Sequence, residues 1–409
     1  MAAAQIRLER AALYLTCASA VSNLFSIAAS QILLVCALLV IVIARIPIRF
    51  PPIKLPLGLF VAGTLASLLA SPDPAAGLPQ IKKFFVFLAL LAVATTVHNV
   101  RDVRLLYFTI AGAAGLAAIW GCSQFLWKVH QAGLLHQNFY TFYVGDRIKG
   151  FMGHWMTYGG EQMMSLLLLL SLLFFTPPPR KWVFLFWAAA GAILSSILLG
   201  GTRIIWAATA VSAVWLIWWW RPKLLLVTPV VLAAALLVAP PFVRERALSI
   251  YQPHGTVDSN QHRYITRRTG WEMIKAHPWL GLGPEMMPRE FNRYVPADIL
   301  KPLPSGYYGH LHNIYLQYAA ERGIPTMLAM MWLIGKVLYD LFRSLRRGSG
   351  TDGTRRGILI GGMAVVIAIL IEGMLEHNLG DSEVLMMFLI VVACSYTAVA
   401  PREAVLAND

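Results

Sequence analysis

Twelve nearly uncharged stretches follow one another along the chain, near residues 11–28, 30–45, 55–71, 83–97, 104–126, 157–176, 181–200, 203–220, 223–242, 323–342, 356–376 and 382–400. A bilayer core takes about 20 apolar residues per helix, and in lipid every backbone N–H and C=O must be paired within its own segment. Runs of this kind therefore become membrane helices. With 58% hydrophobic and only 13% charged residues, there is too little polar surface to cover a water-soluble globule. The expected fold is an all-α polytopic membrane protein with about twelve transmembrane helices and a large, mainly helical loop between spans 9 and 10.

Lysine and arginine in short loops stay on the cytoplasmic side. With the N-terminus inside, the inner segments RLER, RIPIRFPPIK, HNVRDVR, PPPRKW, RPK, RSLRRGSGTDGTRR and the C-terminal PRE all carry basic residues, and the outer links near 29 and 378 carry none. This predicts both termini in the cytoplasm. The layout then reads as spans 1–5 over 1–126, an outer loop over 127–156, spans 6–9 over 157–242, a large outer loop or cap over 243–322, and spans 10–12 with a cytoplasmic C-terminus over 323–409. The charged opening MAAAQIRLER leads into an apolar run that continues into a second span, so no cleavable signal peptide is expected. Cys17, Cys36, Cys122 and Cys394 all fall within apolar runs, which implies neither a disulfide framework nor a cysteine zinc site.

The net charge of +14 suits anionic headgroups or a phosphorylated ligand. Ten of the 34 basic residues lie in the second outer segment, among them Arg244, Arg246, Arg263, Arg267, Arg268, Lys275, Arg289 and Arg293. Long loops cross whatever their charge, so solvation or lipid contact would account for any one of them. Other outward positions add to the pattern. Arg203 opens the eighth span in GGTRIIW, Arg147 and Lys149 stand in GDRIKGF before the sixth, and Lys82 with Lys83 starts the fourth. Separate elements thus bring cations to one membrane depth, and guanidinium grips phosphate by bidentate hydrogen bonds and permanent charge.

The stretch GHLHNIYLQYAAERGIP (309–325) carries polar residues into the tenth span. A helix starting near His310 would place Asn313, Gln317 and Glu321 on one face. His312 beside that stripe has the right pKa class to take a proton from a sugar hydroxyl, although a histidine there can equally cap a helix. His254, His262, His277, His310 and His312 occupy the outer region without an HExxH spacing, and the HxH of His310 and His312 has no nearby carboxylate in sequence. No metal site and no cofactor are expected. GxSxG, P-loop and dinucleotide fingerprints are absent, which removes the serine hydrolase, NTPase and oxidoreductase classes. Nucleic acid is not an expected partner.

An arginine opening a span in GTRIIW, an Arg-x-x-x-Trp from Arg267 to Trp271 followed by HPWLGLG, and a closing HNIYLQYAAERG occur in that order. With about twelve spans and a large late loop, this layout resembles the O-antigen ligase and O-antigen polymerase superfamily of bacterial inner membranes, over roughly residues 140–330. The resemblance implies a glycosyltransferase facing the periplasm, whose donor is a glycan on undecaprenyl diphosphate. In ligases the acceptor is lipid A-core oligosaccharide, and membrane lipids surround both substrates. Essential arginines and one histidine of that family correspond by position to Arg203, Arg267 and His312. The doubled Arg267-Arg268 leaves that match open by one residue, and the HLH pattern leaves His310 as a second candidate.

Chemically, cations aimed at the leaving diphosphate would lower the barrier, and His312 would deprotonate or orient the acceptor hydroxyl, steadied by Asn313 or Glu321. Arg147, Lys149, Arg268, Lys82, Lys83, Asn313, Glu321 and His310 are the expected substrate-binding residues. Attack opposite the diphosphate would invert the anomeric centre. A polymerase or a protein O-glycosylating relative would need the same groups. A flippase for an anionic lipid would bind without reacting, but it would place ionisable groups near the membrane midplane, where only Lys336 and Glu372 are found.

Overall fold

The computed structural model describes residues 2–252, 260–304, 306–347 and 352–399. The described residues are helical with no β-strand. The helices are α1 (Ala2–Ser22), α2 (Ile27–Ile43), α3 (Lys54–Leu69), α4 (Pro74–Lys82), α5 (Leu88–Thr96), α6 (Val100–Leu134), α7 (Phe139–Gly145), α8 (Trp155–Phe175) and α9 (Arg180–Leu199). They continue as α10 (Arg203–Trp220), α11 (Thr228–Val238), α12 (Pro241–Leu248), α13 (Asn260–Ala276), α14 (Met287–Tyr294), α15 (Ile314–Arg322), α16 (Ile324–Arg346), α17 (Gly353–Glu372) and α18 (Ser382–Thr397). The C-terminal PRE, the middle of the RSLRRGSGTDGTRR loop and His254 lie outside the described residues.

Seven helical segments are long and apolar enough to cross a membrane: Pro74–Thr96, Val100–Leu134, Trp155–Phe175, Arg180–Leu199, Arg203–Trp220, Ile324–Arg346 and Gly353–Glu372. Ile27–Ile43, Lys54–Leu69 and Ser382–Thr397 are apolar but shorter. The chain is thus a polytopic helical membrane protein, with seven or eight helices of full spanning length among the described residues against the twelve spans read from the sequence.

The eighth member of that count is a broken one. The stretch expected as a single span at 223–242 is instead α11 and α12, bent by 118°. Ala239 and Pro240, each followed by a proline, take extended backbone at ψ 149° and 148°, because a proline ring excludes the residue before it from the helical region.

Apolar side chains pack the middle of the bundle. α8 is buried along nearly its whole length from Met156 to Leu173, and α17 and α18 are buried almost as fully. Large apolar side chains such as Phe184 and Leu226 on peripheral elements stay exposed, as lipid-facing residues do. Beyond the bundle end, α13, α14, α15 and the loops between them close over a second, smaller core that includes Ile265, Met273, Met287, Phe291 and Leu311.

The helix expected to run from His310 into the tenth span is shorter at its start and broken at its end. α15 begins at Ile314, with the Asn313 side chain accepting the Leu316 N–H at 2.9 Å. Asn313 is therefore an N-cap, and His312 stands outside the helix with φ 49°. Gly323, at φ 82°, separates α15 from α16, and Pro325 sits in the first turn of the new helix. The HPWLGLG segment docks on this break: Ile324 N donates to Pro278 O, Leu282 N to Ala320 O and Gly283 N to Glu321 O. A Cβ at residue 323 would lie 2.0 Å from the Trp279 carbonyl oxygen. Gly323→Ala should therefore destabilise the protein by about 1–3 kcal/mol for the backbone alone, more with the clash, read as a lower melting temperature in detergent than wild type. An unchanged melting temperature would contradict this packing.

Candidate active site

One cavity of about 1060 Å³ opens where several helix ends meet. His154, Trp155 and Met156 at the start of α8, Thr202, Arg203 and Ile204 at the start of α10, His312 just before α15, and Asp381 just before α18 all line it. Lys83 follows α4, Glu376 follows α17, and Arg263 and Arg267 come from α13. The amino ends of four helices bring their positive dipole ends to this region. Arg203, Arg267, His312, Arg147, Lys83, His310 and Glu321 all line this single cavity, although they come from distant parts of the sequence.

Six cationic side chains border it: Lys83, Arg147, Arg203, Arg246, Arg263 and Arg267. Arg147 is buried, and its hydrogen-bond partners are the Val144 and Gly201 carbonyls and the Thr202 hydroxyl, at 3.2–3.3 Å. Burial, and after it the Arg246 guanidinium, pulls Arg147 below its ordinary pKa. Arg246 is also buried, donating to Gly201 O at 2.9 Å and to the Tyr140 hydroxyl at 3.0 Å. Arg203 donates to Ser249 Oγ at 3.2 Å, and Lys83 to Gly380 O at 2.9 Å. Arg267 is exposed to the cavity with no ion-pair partner among the described residues. Arg147 and Lys83, which donate to carbonyl and hydroxyl oxygens, retain charge for an incoming anion. A guanidinium and a phosphate 4 Å apart attract by roughly 4 kcal/mol at an effective dielectric of 20, against about 1 kcal/mol in water.

His312 is fixed from both ring nitrogens. Nδ1 lies 3.1 Å from Glu376 Oε2, and Nε2 lies 3.2 Å from the Tyr307 carbonyl and 3.3 Å from His262 Nε2. Burial works to raise the Glu376 pKa, but Arg263, paired with the same carboxylate, and His312 outweigh it and hold it at about 2. An ionised Glu376 can only accept, so in the neutral ring Nδ1 of His312 carries the proton and Nε2 is left with the lone pair. His310 is different. Its Nδ1 accepts the backbone N–H of His312 at 3.2 Å, so its neutral ring carries the proton on Nε2 and offers no lone pair there. Burial first, then His312, pushes its pKa down to about 3. His154, His262 and His377 are likewise lowered, mainly by burial. The carboxylate that steadies His312 is Glu376, not Asn313 or Glu321 as expected. Glu321 accepts the Glu285 backbone N–H at 3.1 Å, and burial raises its pKa to about 7.

Ligand atoms of His310, His312 and Glu376 lie within 4.8 Å of one another, so the fold supplies the carboxylate that the HxH lacked in sequence. That set fits a metal ion poorly, since Glu376 is paired with Arg263 and the His310 Nδ1 lone pair is already used. A divalent cation would also enter a cavity bordered by six like charges.

Four expected binding residues are placed elsewhere. Arg268 pairs with Asp298 on the exposed side of α13, because adjacent helix positions point about 100° apart. Lys82 lines a separate shallow depression with Gln31 and Ser382, Lys149 pairs with Asp146 at 3.5 Å, and Asn313 caps α15. His277 bonds Tyr294 at 2.8 Å outside the cavity. Residues given no site role from the sequence, Arg246, Arg263, His262, Glu376 and His377, do line it. Arg246, Arg263 and His262 stand among the outer cations and histidines noted in the sequence, and the signal for the other two is the adjacent Glu376-His377 pair at the end of the eleventh apolar stretch.

Residues 188–331 match the family model described as O-antigen ligase. No curated protein matches the chain.

Glu376→Gln removes the countercharge of a largely buried Arg263 and should cost at most about 3–5 kcal/mol. The same link gives a pH dependence. Because the folded pKa of Glu376 is depressed to about 2 from 4.5, its contribution is complete above pH 4.5 and is lost as pH falls from there toward 2. Thermal unfolding of the detergent-solubilised protein across that range should show wild type losing more stability than Glu376→Gln.

Proposed function

The match over residues 188–331 supports membership of the O-antigen ligase superfamily, and on that footing we propose that the chain is a ligase of bacterial lipopolysaccharide assembly. It transfers O-antigen polysaccharide from undecaprenyl diphosphate to lipid A-core oligosaccharide on the periplasmic side of the inner membrane, with both termini in the cytoplasm. The observation that carries this reading is the meeting of six cations with the Glu376–His312 pair around one cavity.

The acceptor hydroxyl oxygen attacks the anomeric carbon, and the bond from that carbon to the diphosphate oxygen breaks with its electron pair staying on the diphosphate. The hydroxyl proton passes to Nε2 of His312, whose Nδ1–H is held by Glu376. The resulting imidazolium is stabilised by Glu376 on one side and the Tyr307 carbonyl on the other. Negative charge growing on the leaving oxygen is met by Arg203 and Arg267, with Arg147, Arg246 and Lys83 behind them. Attack from the face opposite the diphosphate inverts the anomeric centre. No step needs a metal, since the guanidinium groups supply the charge stabilisation a divalent cation would bring.

Arg203→Ala and Arg267→Ala should each lower transfer by roughly 10²–10³-fold, and His312→Ala by roughly 10²–10⁴-fold with donor binding kept. These are read with purified protein, lipid-linked glycan and core lipid in excess EDTA. Wild-type rates in the arginine variants would remove the phosphate clamp, and a wild type silent in EDTA would remove the metal-free mechanism. In cells, deletion of the gene should leave long lipid-linked polymer uncapped on the outer face. Single repeat units there would assign a polymerase instead, and failure to reach the outer face a flippase.

A further inference from the structure

His262 stands in the first turn of α13, buried, with its ring 4.9 Å from that of His312 and nearly perpendicular to it. The approach is close on the other side too. A Cβ at residue 306 would lie 2.8 Å from His262 Cβ and Cγ, so the loop leading to His310 and His312 passes His262 where only glycine fits.

The hydrogen bonds around His312 define what His262 does. With Nδ1–H given to Glu376, a neutral His312 has a lone pair at Nε2. The Tyr307 carbonyl, 3.2 Å away, can only accept and cannot satisfy that lone pair. His262 Nε2, at 3.3 Å, can, if it carries the proton. Once His312 is protonated the roles reverse: Nε2–H turns to the Tyr307 carbonyl, and the His262 N–H loses its acceptor. The charged and titratable neighbours agree with a neutral His262. Arg263 is adjacent on the same helix, His312 faces the ring, Tyr308 packs edge-on at 6.1 Å, and Glu376 is already engaged by Arg263 and His312.

We propose that His262 is a positioning residue that donates its Nε2–H to the Nε2 lone pair of His312 in the resting protein, holding the place an acceptor sugar hydroxyl takes during transfer. It thereby keeps the base unprotonated until a hydroxyl displaces it. The functional part of this inference rests on the reading of His312 as the base; the hydrogen bond itself does not.

A donor to the neutral form of an imidazole disfavours its protonation, so removing His262 makes His312 easier to protonate. The test has two readouts on the full-length protein in detergent. The first is the pH midpoint of diethyl pyrocarbonate modification at His312, resolved by peptide mass spectrometry, which follows the unprotonated ring independently of transfer. The second is the low-pH limb of the transfer rate. His262→Phe should move the modification midpoint up by about half to one pH unit, and His262→Gln, whose amide can donate to Nε2, should return it most of the way. The rate limb should move in parallel. An unshifted midpoint in His262→Phe, or an equal shift in His262→Gln, overturns the proposal. A shifted midpoint with an unshifted rate limb upholds the hydrogen bond and overturns the displacement by an acceptor hydroxyl, since His312 would then not be the base. Should His262→Phe fail to accumulate, His262→Leu and His262→Gln are compared in its place on the same midpoint.

Discussion

Positive charge gathered from separate elements around one cavity is the constraint around which this molecule is organised. Six cations border one hollow at the end of an apolar bundle, and Arg147 sits there buried, hydrogen-bonded to carbonyl and hydroxyl oxygens and lying over the Trp155 ring. Such an arrangement is costly in the empty protein. α8, α17 and α18 form a closely packed core, and α10, which carries Arg203 at its start, packs against α8 and α17.

The same economy shows in the way acids are distributed. Glu376 is committed twice, to Arg263 and to His312, and its low pKa follows from those two partners prevailing over burial. Glu321 has its own guanidinium neighbour, Arg322, but burial prevails and leaves it raised. One acid therefore orients the imidazole, while the other lines the same cavity and accepts the Glu285 backbone N–H. His312 itself has left-handed backbone, an uncommon conformation for a residue other than glycine. The carboxylate, the Tyr307 carbonyl and the glycine-bearing loop before it hold it there, which is where strained residues of functional sites are expected to be supported.

Much of the helical framework could be read from apolar length. The stretch at 203–220 coincides with α10, and 157–176, 181–200 and 356–376 with α8, α9 and α17 to within a few residues. Reading failed where backbone chemistry overrode hydropathy. Two successive prolines after Ala239 turned an expected span into a 118° bend, and Gly323 followed by Ile324-Pro325 cut an expected continuous helix. The candidate site was legible in part. Arg203 and His312 stand at helix starts, whereas Arg267, in the middle of α13, could be picked out only through the Arg-x-x-x-Trp pattern of the resemblance. The choice of Arg267 over Arg268 could not be made, since it depends on which way α13 is rolled, and its rotation is set by the packing of Ile265, Met273 and Leu311.

By itself the sequence determined that this chain is a set of membrane-spanning helices with an excess of cations near their ends, because apolar length and charge are local properties of a segment. Which of those cations share a cavity, and which acid holds the histidine, was decided only by the tertiary structure. Glu376 is 64 residues from His312 and His262 is 50 away, and nothing within any one helix encodes their meeting. It arises from how separate helices pack end against end, where a rotation of one residue exchanges a cavity wall for the solvent or lipid face.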